Sequence, residues 1–529
     1  MDGLAFFTNK QSKTSTVDGV LEPSNGKEAI LLTAPLQEKI SAITGKLGSS
    51  EDVVLRKLGR QSSDEPELAI IYIDSIIDHR TINDNIVQPL QAALLTKAST
   101  NRANESDPLY SYGIAAGFVL KINSLEAALT ALLCGSCLIM VDGVVDILAA
   151  DASGGEQRSV EEPSTQTVMR GPQHSFTENV KTNLGLIRRI IRSSDLRIEC
   201  TVIGRHTHTK IAVCYLEGIA EPVVVNEVNR RLKAIDIDGI LESGYVEEFI
   251  QDKTFTPFPT LLNVERPDVV AAALLEGQVA VIIDGTPFVL LAPVTFFKFF
   301  QSAEDYYQRW DIASFLRLLR QLAFFISMLL PALYIAVTTF HQEMLPTTLL
   351  ISLAAQREGI PFPALVEALL MEMTFEVLRE AGVRMPRAVG PAISIVGALV
   401  LGQAAVQAGL VSPAMVIVVS FTAISNFVAP QLNIAIAARL IRFFLMLCAG
   451  VLGFFGIMTG ILVLLTHLAG LQSFGVPYMT PLAPFRRSSM IDIFIRVPRW
   501  AMSLRPVAMS GGKRKKDAKM PQWQRRGKN

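Results

Sequence analysis

Two glutamines one helical turn apart, Gln403 and Gln407, stand inside a run of 51 residues, 388–438, that holds no Asp, Glu, Lys or Arg. Side chains at i and i+4 share one row of a helix, and this row passes back through Leu399 and Ile395. A polar row on an apolar helix needs hydrogen-bond partners or water. It either glues helices together, or lines a wet path surrounded by several copies, with Leu399 as an apolar constriction. A second row, Glu372, Glu376 and Glu380, recurs at i, i+4 and i+8 in a helical stretch over 362–382. It suits cation attraction at a pore mouth, or packing against Arg379, Arg384 or Arg387.

Covalent chemistry finds little support. The sequence has no P-loop, nucleophile elbow, HExxH or dinucleotide fingerprint. Cys134 and Cys137 are spaced like a redox pair, but they open an apolar strand, where core packing is the expected role. His206 and His208 flank a threonine in a polar stretch without further ligands, so a solvated loop is expected there. Five scattered cysteines build neither a disulfide framework nor a zinc pattern. The expectation is a protein that is not an enzyme, with no cofactor, no metal and no nucleic-acid partner.

The elements that must position these rows fall into two unlike halves. Mean hydropathy is +0.35, yet residues 1–315 carry charge at ordinary globular density and the apolar character is local. Residues 1–30 read as disordered, and no signal peptide is expected. From there helical and strand patterns alternate, which argues an α/β domain. An internal repeat organises it. Gly135 is followed seven residues later by Asp142-Gly143, as Gly277 is by Asp284-Gly285. Ala69 through Ile76 matches Ala212 through Ile219, and Asn83-Asp84 matches Asn226-Glu227. The spacing predicts two related α/β subdomains, 31–150 and 165–310, joined by a linker over 151–164. Asp142 and Asp284 are expected to close their own Asp-Gly turns.

Residues 311–471 read as an all-α polytopic membrane domain, with spans near 320–340, 389–410, 413–430 and 440–468 and short or amphipathic helices over 346–382. Pro331 should kink the first span, and Ser412-Pro413 should start the third. Gly450, Gly453, Gly456 and Gly460 in the last offer a small-residue packing face. No charge is expected buried at mid-membrane, which argues against a secondary transporter. Residues 472–529 read as a basic tail, since thirteen Lys and Arg follow Phe485. Four spans would place this tail and the untranslocated first domain together on the cytoplasmic side, where the basic run Lys513 to Lys516 could meet anionic lipid.

Several stretches resemble the A subunit of the GerA family of spore germination receptors. They are Arg170-Gly-Pro172 with Phe176, Glu178 and Asn183 to Arg188; Glu265-Arg-Pro-Asp268 leading to Asp284 through Val289; Asp305-Tyr-Tyr307; Pro361-Phe-Pro with Glu367 to Glu372; Gly402 to Ala405; and Ser473-Phe-Gly475 with Pro477-Tyr478. The resemblance covers roughly 165–485. It implies a subunit of a nutrient receptor in the spore inner membrane, assembled with a permease-like B subunit and a lipoprotein C subunit. It also implies a homo-oligomeric ion channel, which favours the pore reading of Ile395, Leu399, Gln403 and Gln407. A non-conducting signalling scaffold and a secondary transporter are the rival functions.

Overall fold

The computed structural model describes residues 35–48, 50–59, 68–96, 118–154, 170–385, 400–486 and 492–502, with 507–510 and a few single positions besides. The expected disordered segment 1–30, most of the linker 151–164, Arg387, and the pore residues Ile395 and Leu399 lie outside the described residues. The chain divides into a first compact unit within 35–152 and a second that takes 46–54, 73–79 and everything from 153 onward.

The first unit is built on a five-stranded sheet in the order β1-β2-β4-β5-β3. Its strands are β1 (Val53–Leu58), β2 (Leu68–Ile73), β3 (Val119–Ile122), β4 (Ser136–Val141) and β5 (Ile147–Asp151). The second unit carries β6 (Leu196–Ile203), β7 (Thr209–Leu216), β8 (Leu262–Val264), β9 (Val279–Ile283) and β10 (Val289–Ala292), ordered β6-β7-β9-β10-β8. The two orders are the same permutation, and the pairings from β6 through β10 are antiparallel.

The repeat seen in the sequence has a physical counterpart at each of its marks. Gly135 and Gly277 follow equivalent helices, Leu125–Leu133 and Pro267–Glu276, with φ of 98° and 97°. That left-handed exit strains any residue with a Cβ. The two aspartates were expected to close their own turns, and their side chains reach distant segments. Asp284 Oδ1 accepts a hydrogen bond from the Val180 backbone N–H (3.0 Å), and Asp142 Oδ1 accepts one from Leu36 (3.4 Å). Each carboxylate thus satisfies an orphan donor at the N-terminus of its own subdomain's first helix, Val180–Ile190 or Leu36–Leu47.

The second sheet is buried on both faces at its centre, because β9 and β10 hold no polar residue. Ile211, Val213, Val281 and Ile283 face helices Pro222–Lys233 and Ser243–Ile250. Ala212, Cys214, Ala280 and Ile282 face the other way, into a core that continues through Phe296, Phe300 and Phe324 into the C-terminal helices. Phe296, Phe300 and Phe324 meet edge-on at centroid distances of 5.0 to 6.0 Å. Subdomain and helices therefore share one hydrophobic core.

Among the described residues, two stretches are long and apolar enough to cross a bilayer by length and composition, Trp310–Thr339 and Leu432–Ala469. The first begins ten residues before the expected 320, because its arginines are neutralised within the fold, as described below. Pro331 lies inside it. The second differs from the single span expected over 440–468. Gly453 has φ 60° and ψ −136°, and the chain reverses there. A Cβ on Gly460 would lie 2.7 Å from Leu445 Cδ2, and one on Gly456 only 2.0 Å from the Cys448 carbonyl oxygen. Residues fifteen apart along a straight helix would be separated by about 22 Å, so the stretch is a helical hairpin with limbs 432–452 and 454–469. Its glycines let the limbs touch at the bend. Ser412 caps the shorter apolar helix Pro413–Phe427, accepting from the Met415 N–H at 3.2 Å.

The segment read as a basic tail from 472 packs on the second unit at its described positions. Ser473 Oγ accepts from the Val294 N–H and donates to the Thr260 carbonyl, and the Tyr478 hydroxyl donates to the Pro259 carbonyl. The basic run at 513–516 lies outside the described residues.

Candidate functional site

Polar side chains gather at two levels of the helical region. The lower level lies where the second subdomain meets the start of helix Trp310–Thr339. Asp305, 1% exposed, receives Arg320 at 2.6 Å and Arg317 at 3.1 Å, and Arg317 also reaches Asp492 at 2.8 Å. Two arginines with two carboxylates satisfy the rule that buried charge must be paired. The Tyr306 hydroxyl donates to Asp492, and burial beside that carboxylate pushes its phenol well above the ordinary range. Next to it, Arg266 grips Asp268 with two nitrogens (3.0 and 2.7 Å), and the Tyr307 hydroxyl donates to the same carboxylate at 2.6 Å. Gly171 lies against the Tyr307 ring, where a Cβ would come within 2.7 Å.

The upper level joins helix Ala364–Arg384 to the hairpin. Glu372 meets Arg442 at 3.0 Å with both side chains 1% exposed. Glu376 binds Arg439 at 2.6 Å and also Arg379. Glu380 pairs with Arg384 at the surface. The acidic row is thus spent on arginines, as the packing alternative held for Arg379 and Arg384, but Arg439 and Arg442 join as partners that the sequence reading omitted. Helix Ala364–Arg384 packs against Pro413–Phe427 and the hairpin, and Glu367 and Glu372 are fully buried. Glu367 accepts from the Ser412 N–H at 2.6 Å. The expectation of no buried charge among the spans is corrected by Glu372 and Arg442, which enter the apolar interior as a neutral pair. An arginine within the apolar run 432–452 was the available signal.

Gln403 and Gln407 lie on a helical stretch, 400–407, and both are exposed. Around them Val400, Leu401 and Leu410 are exposed too, so this face finds no partner among the described residues. Cys137 is buried and its thiol is pushed up to about 12 by burial, whereas Cys134 is exposed at the C-terminal end of helix Leu125–Leu133. His206 and His208 lie exposed on the turn between β6 and β7.

A sequence profile described as Bacillus/Clostridium GerA spore germination protein matches residues 41–508. The chain belongs to the GerA family of spore germination proteins. It is similar to Spore germination protein KA of Bacillus subtilis (strain 168), with 50% identity over 481 residues, 91% of this chain and 88% of that protein. Spore germination protein GerLA of Bacillus cereus is 37% identical over 90% of this chain and 96% of its own length. The crystal structure of the N-terminal domain of the A subunit of the Bacillus megaterium spore germinant receptor GerK3 is 40% identical, covering 50% of this chain and 96% of that chain at a TM-score of 0.38. Among the residues that carried the GerA resemblance, Arg266, Asp268, Asp305, Tyr306 and Tyr307 stand in the lower level, and Glu367 and Glu372 in the upper.

Proposed function

We propose that this chain is the membrane subunit of a spore germinant receptor and that several copies surround an ion path. The helix that contains Gln403 and Gln407 would line the path, and Ile395 and Leu399 would continue its row. The exposed amide pair carries this reading. Among the described residues the buried charges of the helices, Glu372 with Arg442 and Arg317 and Arg320 with Asp305, are paired, while two amides one turn apart are exposed on an apolar surface, a cost in lipid that water or a second copy removes. In this reading the Glu372–Arg442 and Glu376–Arg439 pairs hold the neighbouring helix in place and do not attract ions. The shared core and the Asp305 cluster would transmit motion of the soluble part, or of B and C partner subunits, to the helices. The soluble domain and residues up to Ser510 would lie on the cytoplasmic side of the spore inner membrane, and no covalent chemistry is involved.

Liposomes bearing the purified full-length chain test this. A potassium flux that falls at least tenfold in Gln403→Leu/Gln407→Leu, with insertion unchanged, supports the path. Equal flux in both would make the glutamines structural, and no flux from either would favour the non-conducting scaffold. The secondary-transporter rival gains one observation, the buried Glu372–Arg442 pair. It requires saturable, coupled uptake that Glu372→Gln abolishes.

A further inference from the structure

A cavity of about 640 Å³ opens beside the lower polar level, within the size range of ligand sites. Its inner wall is charged but balanced. Arg266 is matched by Asp268, Lys298 by Glu276 at 2.8 Å, and Arg320 by Asp305. Glu304 adds one more carboxylate to the lining. Beside them the C-terminal segment contributes Arg499 and Arg505 to the lining. Arg505 Nε donates to the Leu275 carbonyl at 3.0 Å, and Arg499 is exposed with no ion-pair partner among the described residues. One side of the rim is apolar, being the turn Phe427, Val428, Ala429 and Pro430 between helix Pro413–Phe427 and the hairpin, with Phe427 68% exposed.

An anionic head with an apolar body fits a cavity that has cations on one rim and a hydrophobic turn on the other. The location agrees, since exposed Trp310 and Trp500 stand at this end of the helices, where aromatic side chains favour the membrane interface. We propose that the cavity takes the phosphodiester headgroup of an anionic phospholipid. Arg499 and Arg505 contact the phosphate, and the acyl chains leave past Phe427. The site gives the basic C-terminal segment a lipid ligand. A soluble phosphate ester shares the headgroup chemistry but has no use for the apolar rim.

The proposal rests on the helices being embedded in a bilayer and not on ion conduction. Alkaline carbonate extraction of membranes reads embedding separately: a chain that washes off contradicts the membrane reading itself, and one that stays in the pellet leaves the cavity as the only question. Native mass spectrometry of the full-length chain, released from detergent with phosphatidylglycerol or phosphatidylcholine of matched acyl chains, then tests the site. Phosphatidylglycerol is retained in preference. Arg499→Gln/Arg505→Gln lowers that retention about thirtyfold, at about fivefold for each arginine near a lipid surface. Ala272→Trp, which fills the cavity from an exposed lining position and keeps every charge, lowers it as well. Both variants should melt with the parent chain. Equal retention of the two lipids, or of phosphatidylglycerol by parent and variants, overturns the proposal. Displacement of bound lipid by millimolar glycerol 3-phosphate would assign the site to a soluble phosphate ester instead.

Discussion

Replacing Arg442 by Leu should be one of the most damaging single changes in the helical region. Its guanidinium is 1% exposed and 3.0 Å from an equally buried Glu372 carboxylate, and among the described residues neither Glu372 oxygen has an aligned hydrogen-bond donor. Removal of Arg442 strands a carboxylate among apolar helices. Breaking a buried pair in this way costs about 3–5 kcal/mol, and a lone charge at a helix centre in a bilayer costs about 3 kcal/mol. Both figures point to a destabilisation near 3 kcal/mol. The double replacement Glu372→Leu/Arg442→Leu removes both charges and should return to within about 1 kcal/mol of the parent. Reversible unfolding of the full chain in mixed micelles, run as a double-mutant cycle, measures the coupling directly. Additive effects, or a single replacement costing under about 1 kcal/mol, would refute the buried pair and with it the packing of helix Ala364–Arg384 on the hairpin.

Three further outcomes follow from the geometry. Gly453→Ala places a Cβ on a backbone at φ 60° and ψ −136°, within 2.9 Å of Phe340 and His341; it should cost about 1–3 kcal/mol or more, read by the same unfolding assay, whereas Gly359→Ala, open on all sides, should be silent. Asp284→Ala leaves the first N–H of helix Val180–Ile190 without its acceptor and should destabilise the chain by about 1 kcal/mol, most of which Asp284→Asn restores. At pH 8 a maleimide should label Cys134 and spare Cys137, because a thiol raised to about 12 is almost wholly protonated and therefore unreactive; equal labelling in the folded chain would contradict the placement of β4.

The α/β character of the first half and its repeat were legible because each mark has a backbone cause. Gly135 and Gly277 occupy left-handed exits, and Asp142 and Asp284 hold a helix N-terminus. What the sequence concealed was which distant segment each aspartate serves, since Val180 lies 104 residues from its partner. The helical half was legible by hydropathy but not by length. Arg317 and Arg320 look like a boundary until Asp305 and Asp492 are seen to neutralise them, so the first helix starts earlier. A row of glycines reads equally as a packing face or as a bend, and only the conformation of Gly453 separates the two. The acidic row was visible, and its partners Arg439 and Arg442 were not, because helix pairing is nonlocal. The basic composition after Phe485 suggested a tail, yet Asp492 and Arg496 tie this segment to the second unit.

The central claim is that the row running through Leu399, Gln403 and Gln407 borders an ion path. Potassium release from dormant spores carrying Leu399→Ala, with no germinant present, tests it most directly. The account predicts spontaneous leakage, because a shortened side chain widens an apolar constriction. Spores that stay tight and still answer nutrient at the parent rate would contradict it, and the helices would then serve as a non-conducting scaffold.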